Sequence, residues 1–167
     1  MLIFIVYCMK RILVLLIMVL GLVFSSVMAR DPNYIPDINQ AEINLGGISL
    51  GASMDDVRAI YGNPTTVRTQ HAGNWGIATV WTYGDSFTIE FSQKGRAYGI
   101  ETSANNGIKT VSGFTVGKSI WTVKKYFGDG LKYVGNNTFS AHWKYLGMKF
   151  TVDKNNKITN IFIFEMD

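Results

Sequence analysis

The chain has 167 residues, 47% of them hydrophobic and 13% aromatic, with 16 Lys+Arg against 12 Asp+Glu. Without Lys10 and Arg11 the remainder carries 14 basic and 12 acidic residues, a balance that sets up no strong overall field for nucleic acid or a membrane. The one cysteine, Cys8, stands ahead of those two charges, which excludes disulfides, Cys–zinc sites and a cysteine nucleophile from everything that follows.

Lys10-Arg11, the apolar run Ile12–Phe24 and the tripeptide Val27-Met28-Ala29 compose a signal peptide over residues 1–29, with cleavage before Arg30. Met1–Cys8 sits awkwardly before the charges, and Met9 makes a better start. The alternative is a retained anchor, because Ile12–Met28 approaches the ~20 residues of a membrane span. The chain from Arg30 is one domain's worth and can bury roughly two-thirds of its unfolded surface. Residues 30–46 are polar, include Pro32 and Pro36, and read as an extended N-terminal segment.

Gly47–Gly62 (GISLGASMDDVRAIYG) then recurs without a gap as Gly113–Gly128 (GFTVGKSIWTVKKYFG), identical at five of sixteen columns. This echo indicates a duplicated unit. In the first copy Ser53 caps a helix whose apolar face is Met54, Val57, Ile60 and Tyr61; Gly62 ends it and Pro64 forbids continuation. Alternating segments follow at Thr65–Gln70, Gly76–Tyr83, Phe87–Gln93 and Arg96–Thr102, broken by Gly, Asp, Asn and Lys as in an antiparallel meander. Ser103–Gly107 links to the second copy, where Ser119 caps a helix to Phe127. Its strands read Leu131–Val134, Thr138–Leu146, Met148–Asp153 and Ile158–Glu165. The expected fold class is therefore α+β: two tandem αβββ repeats, 47–107 and 108–167, forming one antiparallel sheet with two short helices packed on one face.

No catalytic centre announces itself. Gly113–Ser119 resembles a phosphate loop but has three residues between its glycines where four are needed, and its lysine column is Ala52 in the other copy. Two histidines without cysteine make a poor zinc set, and no nucleophile elbow is present. Asp55-Asp56 fall in a helical first turn, where acids are favoured by the dipole alone. Asn136-Asn137-Thr138 matches a glycosylation sequon at a predicted turn, where Asn is expected anyway. The aromatic surplus points elsewhere. Trp121 replaces Asp55 of the other copy, Trp75 stands at a strand mouth, and Ile161–Phe164 is apolar on both faces.

The pattern Gly-x-Ser-x-x-x-Val with a closing aromatic-Gly-x-Pro, seen in Ile48–Pro64, together with Trp81–Gly84, resembles SmpA/OmlA/BamE-like domains of bacterial envelope proteins. The tandem arrangement resembles that of β-lactamase inhibitory protein. The resemblance implies a non-enzymatic binder that works through sheet surface and loops. The lipidated cysteine of the one and the disulfides of the other are missing here.

The expectation is an exported, non-enzymatic protein-binding module of the bacterial envelope, without cofactor or metal, making no contact with nucleic acid and no stable membrane insertion once cleaved. Its partner is another envelope or secreted protein, or less favourably a wall glycan. The candidate contacts are Trp75, Trp121, His142 and Lys144. The alternatives are a small hydrolase using His71 or His142 with a carboxylate, and a structural protein that self-associates through its last strand.

Overall fold

Period-two alternation broken by Gly, Asn and Asp yields antiparallel hairpins. In the computed structural model, which describes residues 38–73 and 76–166, eight such strands form a single sheet. The leader expected over residues 1–29 lies outside the described residues.

A 3₁₀ turn over Gln40–Glu42 leads into a two-stranded ribbon, β1 (Asn44–Leu45) and β2 (Ile48–Ser49). Helix α1 (Met54–Tyr61) follows, then β3 (Thr66–His71), β4 (Ile77–Tyr83), β5 (Phe87–Phe91) and β6 (Ala97–Thr102). Helix α2 (Ile120–Phe127) precedes β7 (Lys132–Gly135), β8 (Thr138–Trp143), β9 (Leu146–Val152) and β10 (Ile158–Glu165). The large sheet runs β3-β4-β5-β6-β10-β9-β8-β7. The last strand therefore lies at its centre, paired with β6 on one side and β9 on the other.

Register fixes which side chains share a face. Trp81, Ile89, Ile100, Ile163, Met148 and Ala141 stand opposite one another across six strands, and all are buried. Val57 of α1 and Ile120 and Val123 of α2 join them in one core, as do Ile38, Ile43 and Leu45. Residues 38–45, read from sequence as part of an extended segment, thus contribute a turn, a strand and three core side chains. Phe114 reinforces the α2 side, edge-on to Phe150 with ring centroids 6.0 Å apart.

The α+β class with tandem αβββ repeats is corrected by this arrangement. The described residues are mostly antiparallel sheet, one of eight strands and one of two, with two eight-residue helices among them. The β1–β2 ribbon lies only before α1, and the eight strands close into one continuous sheet. The echo of Gly47–Gly62 in Gly113–Gly128 is local. Gly47, Gly51, Gly113 and Gly117 all have positive φ, 79–90°, and Ser53 and Ser119 both cap helices. The same turn and cap are made twice, and no repeat architecture follows from them.

Strand β8 ends at Trp143, earlier than the alternation suggests, because Lys144 takes φ 51° and turns the chain. Tyr145 consequently sits at the turn, exposed, instead of facing the core. The β7–β8 turn places Asn136 and Asn137 at φ 49° and 54°, the pair of left-handed residues that matches the twist of a two-residue hairpin loop.

Candidate functional site

The helices pack on one face of the sheet and leave the other to the candidate site. There the register aligns Val80, Glu90, Gly99, Phe164, Gly147 and His142, and beside them Thr88, Glu101, Phe162, Lys149 and Ser140. Phe162 and Phe164 are next-but-one neighbours on the central strand. Their rings stack with centroids 5.3 Å apart and planes 15° apart.

Two strand glycines make room for these rings. A Cβ on Gly99 would meet Phe162 Cε2 at 3.2 Å, and one on Gly147 would meet Phe164 Cε1 and Cε2 at 2.8 and 2.9 Å. Neither glycine has positive φ, so space and not backbone conformation is what these positions require. Lys149 Nζ lies 4.5 Å from the Phe164 centroid, a cation–π contact that keeps the ammonium over the ring.

Beside Phe162 the face is hollowed into an open cleft of about 280 Å³ that Glu101, Lys149, Asn160, Thr138 and Thr151 help to line. Asn160 Nδ2 donates to Glu101 Oε1 at 2.5 Å, and the Thr138 and Thr151 hydroxyls meet at 3.3 Å. A second cleft, about 410 Å³, lies beside the β1–β2 ribbon, where Tyr61 Oη donates to Gly46 O at 2.5 Å. Burial holds the Tyr61 phenol above its ordinary pKa.

His142 borders the aromatic pair, its ring edge-on to Phe164 at 6.3 Å. Its Nε2 meets Ser140 Oγ at 2.9 Å, and its Nδ1 is buried without a hydrogen-bond partner. Burial, and after it the positive charge of Lys149, hold the imidazole below the ordinary histidine range.

Of the four residues singled out from sequence, the three that are described do not converge on one site. His142 lies half-buried on the face opposite the helices. Lys144 leaves the strand at the β8–β9 turn and sets its Nζ 4.6 Å from the Trp143 centroid. Trp121 belongs to the helix layer and is 58% exposed. Trp75 lies outside the described residues. His71 ends β3 rather than lying in a loop, and is exposed. Phe162, Phe164, Lys149, Glu101 and Asn160 were missed as a group. The available signal was a doubly apolar strand together with glycines inside two other strands. Among the described residues no three of His, Cys, Asp and Glu gather to hold a metal ion.

No family model and no curated protein matches the chain. Solved structures do. One is an extracellular protein containing a SCP domain from Bacillus anthracis str. Ames, with a TM-score of 0.50 and 8% identity over 83% of this chain and 50% of that one. Another is a cysteine-rich secretory protein from Staphylococcus aureus subsp. aureus Mu50, with a TM-score of 0.53 and 8% identity over 76% of this chain and 48% of that one. This chain thus spans about half the length of each, and at such identity the likeness is one of fold. It replaces the resemblance to SmpA/OmlA/BamE-like domains and β-lactamase inhibitory protein. The short Gly-x-Ser motif behind that resemblance encodes a turn and a helix cap, and it carries no family information beyond them.

Proposed function

We propose that this chain is an exported, non-enzymatic module that binds another extracytoplasmic protein through the face of its sheet opposite the helices. The observation that carries the reading is the Phe162–Phe164 pair, seated over Gly99 and Gly147 and flanked by Lys149 and Glu101. Aromatic anchors held rigid by their own surroundings, with charged groups at the margin, are what concentrates energy in protein interfaces. Export is supported by the charged pair and apolar run of residues 10–24. It is supported also by the fold's likeness to proteins described as extracellular and secretory.

The hydrolase alternative needs a histidine poised between an acid and an accessible nucleophile. His142 instead meets Ser140, whose side chain is 1% exposed and out of a substrate's reach. The central position of the last strand, paired at both edges, argues against self-association by strand addition there.

A photo-crosslinking residue at position 162 is expected to trap one protein in the intact envelope, while the same probe at exposed Ile60 on the helix layer traps none. Phe162→Ser combined with Lys149→Glu should then weaken binding to that purified protein at least about tenfold, the usual loss when an anchor is removed. Equal affinity of wild type and variant, with both folded, removes this face as the binding site.

A further inference from the structure

The two helices present opposite electrostatic characters to solvent. Helix α1 opens with Asp55 and Asp56, and Arg58 Nη1 pairs with Asp55 at 2.8 Å. Helix α2 contains no acid; its outer surface is made by Trp121, Lys124 and Lys125, with Lys118 just ahead of the cap. At 100° per residue Trp121, Lys124 and Lys125 fall within about 100° of arc, turned away from buried Ile120 and Val123, and Lys118 stands outside the helix. All four are exposed, and Lys124 Nζ sits 5.1 Å from the Trp121 centroid.

The fold adds two more cations. The turn between β9 and β10 bridges Lys157 to Ser119, and Ile158 N donates to Lys118 O at 2.8 Å, so Lys154 and Lys157 arrive beside the start of α2. The acid of that turn, Asp153, faces inward on its own loop. Its Oδ1 accepts the backbone amides of Asn155 and Lys157, both at 2.8 Å. At the far margin Glu42 takes hydrogen bonds from Tyr126 Oη, at 2.9 Å, and from Ser112.

We infer that the outer face of α2, together with the β9–β10 turn, is a docking surface for an anionic lipid bilayer. Counting charge over the whole chain conceals this cluster of lysines, whose bordering acids are Asp153, Glu42 and, just past the end of α2, Asp129. Each lysine brought to an anionic surface strengthens binding about fivefold. The exposed indole decides between partners. A tryptophan has an apolar body and a polar N–H, and both are best accommodated at the boundary between lipid and water. A soluble polyanion would reward the lysines without rewarding Trp121. Among the described residues no helix is long and apolar enough to cross a membrane. The patch lies on the helix layer, and its failure would leave the proposal for the opposite face untouched.

The chain from Arg30, which contains the whole compact unit Ile35–Asp167, should sediment with vesicles of 30% phosphatidylglycerol in phosphatidylcholine at 50 mM salt, and not with phosphatidylcholine alone. Lys124→Gln with Lys125→Gln should weaken that binding about 30-fold at unchanged melting temperature. Brominated lipid should quench a fluorescence component that Trp121→Phe removes. Trp121→Ala should weaken vesicle binding while leaving binding to soluble polyphosphate intact. Failure to sediment with the anionic vesicles, equal sedimentation with the neutral ones, or vesicle binding that Trp121→Ala does not alter would each overturn the proposal.

Discussion

At Gly147 the Phe164 ring occupies the space a side chain would fill, its Cε atoms 2.8 and 2.9 Å from where a Cβ would stand. The ring cannot move aside freely, because Phe162 stacks on one flank and His142 meets its edge. Gly147→Ala is therefore expected to destabilise by about 1–3 kcal/mol, the usual cost of overpacking. In a Phe164→Ala background the same substitution should cost much less. Urea unfolding of the four proteins of that cycle measures the coupling, and additive effects would show that glycine is required at 147 for another reason. His142 carries a second residue-scale expectation. Its Nε2–H donates to Ser140 Oγ, whose hydroxyl points on to Met148 O at 3.4 Å, and this assignment leaves Nδ1 as a buried lone pair. Protonation would create a buried N–H with no acceptor, close to the Lys149 charge, so the folded pKa lies below the ordinary 6.5. Between the two values the unfolded chain binds more protons than the folded one, and stability rises with pH. The contribution is complete above about 6.5 and is lost as pH falls through the folded value. The stability of His142→Gln should accordingly depend less on pH between 7 and 5 than that of the wild type. Parallel pH profiles of the urea midpoints would refute the depressed pKa.

The two helices were the most legible elements, because each carries its own start and stop signals, yet their caps differ in strength. Ser53 Oγ accepts from Asp56 N at 3.1 Å while Asp56 Oδ2 accepts from Ser53 N at 2.9 Å, a reciprocal capping box. The Ser53 hydroxyl, donating to Asp56 Oδ2 at 2.7 Å, and after it the Ser53 amide hold that carboxyl below its usual range. Ser119 Oγ reaches only Trp121 N, at 3.4 Å, and the third helical residue, Thr122, turns its hydroxyl back to Ser119 O. Ser53→Ala should cost about 1 kcal/mol and Ser119→Ala distinctly less, as read from urea midpoints; equal losses would mean that the box adds nothing to a single cap. Strands were legible wherever one face is buried and the other wet, as in Phe87–Phe91. They were misread where that contrast fails. Val80, Ala78 and Trp81 are all buried, while Ile77, which alternation sets on the same face as Trp81, is 58% exposed. Ile38, Ile43 and Leu45 escaped notice because isolated apolar residues among polar ones have no period to reveal them, although each fills the core. The site was least legible of all. Nothing in the order Phe162, Gly99, Gly147 announces contact, since the three come from different strands and meet only through register.

For the whole molecule the decisive fact is the pairing of β6 with β10, which places residues 99–102 against residues 161–164. A meander read from sequence gives neighbours in chain order and leaves such a long-range pairing open. Here it is a seam between two four-stranded runs, β3–β6 and β7–β10, and Ile100 opposite Ile163, both fully buried, lies within it. The apolar cluster is continuous across the seam, from Trp81 through Ile89, Ile100 and Ile163 to Met148 and Ala141. Neither run can keep its inner face dry if the other leaves, so the two should unfold as one cooperative unit. Two tryptophans report on the two sides, Trp81 on β4 and Trp143 on β8. Variants that keep only one of them, with the remaining tryptophans changed to Phe, are expected to give superimposable urea transitions. Ile163→Ala should cost about 2–5 kcal/mol in the usual range for a large-to-small core change, and should shift both transitions by the same amount. A Trp143 transition that moves while that of Trp81 stays fixed would mean that the sheet is two independently stable halves in contact, and that the central strand belongs energetically to only one of them.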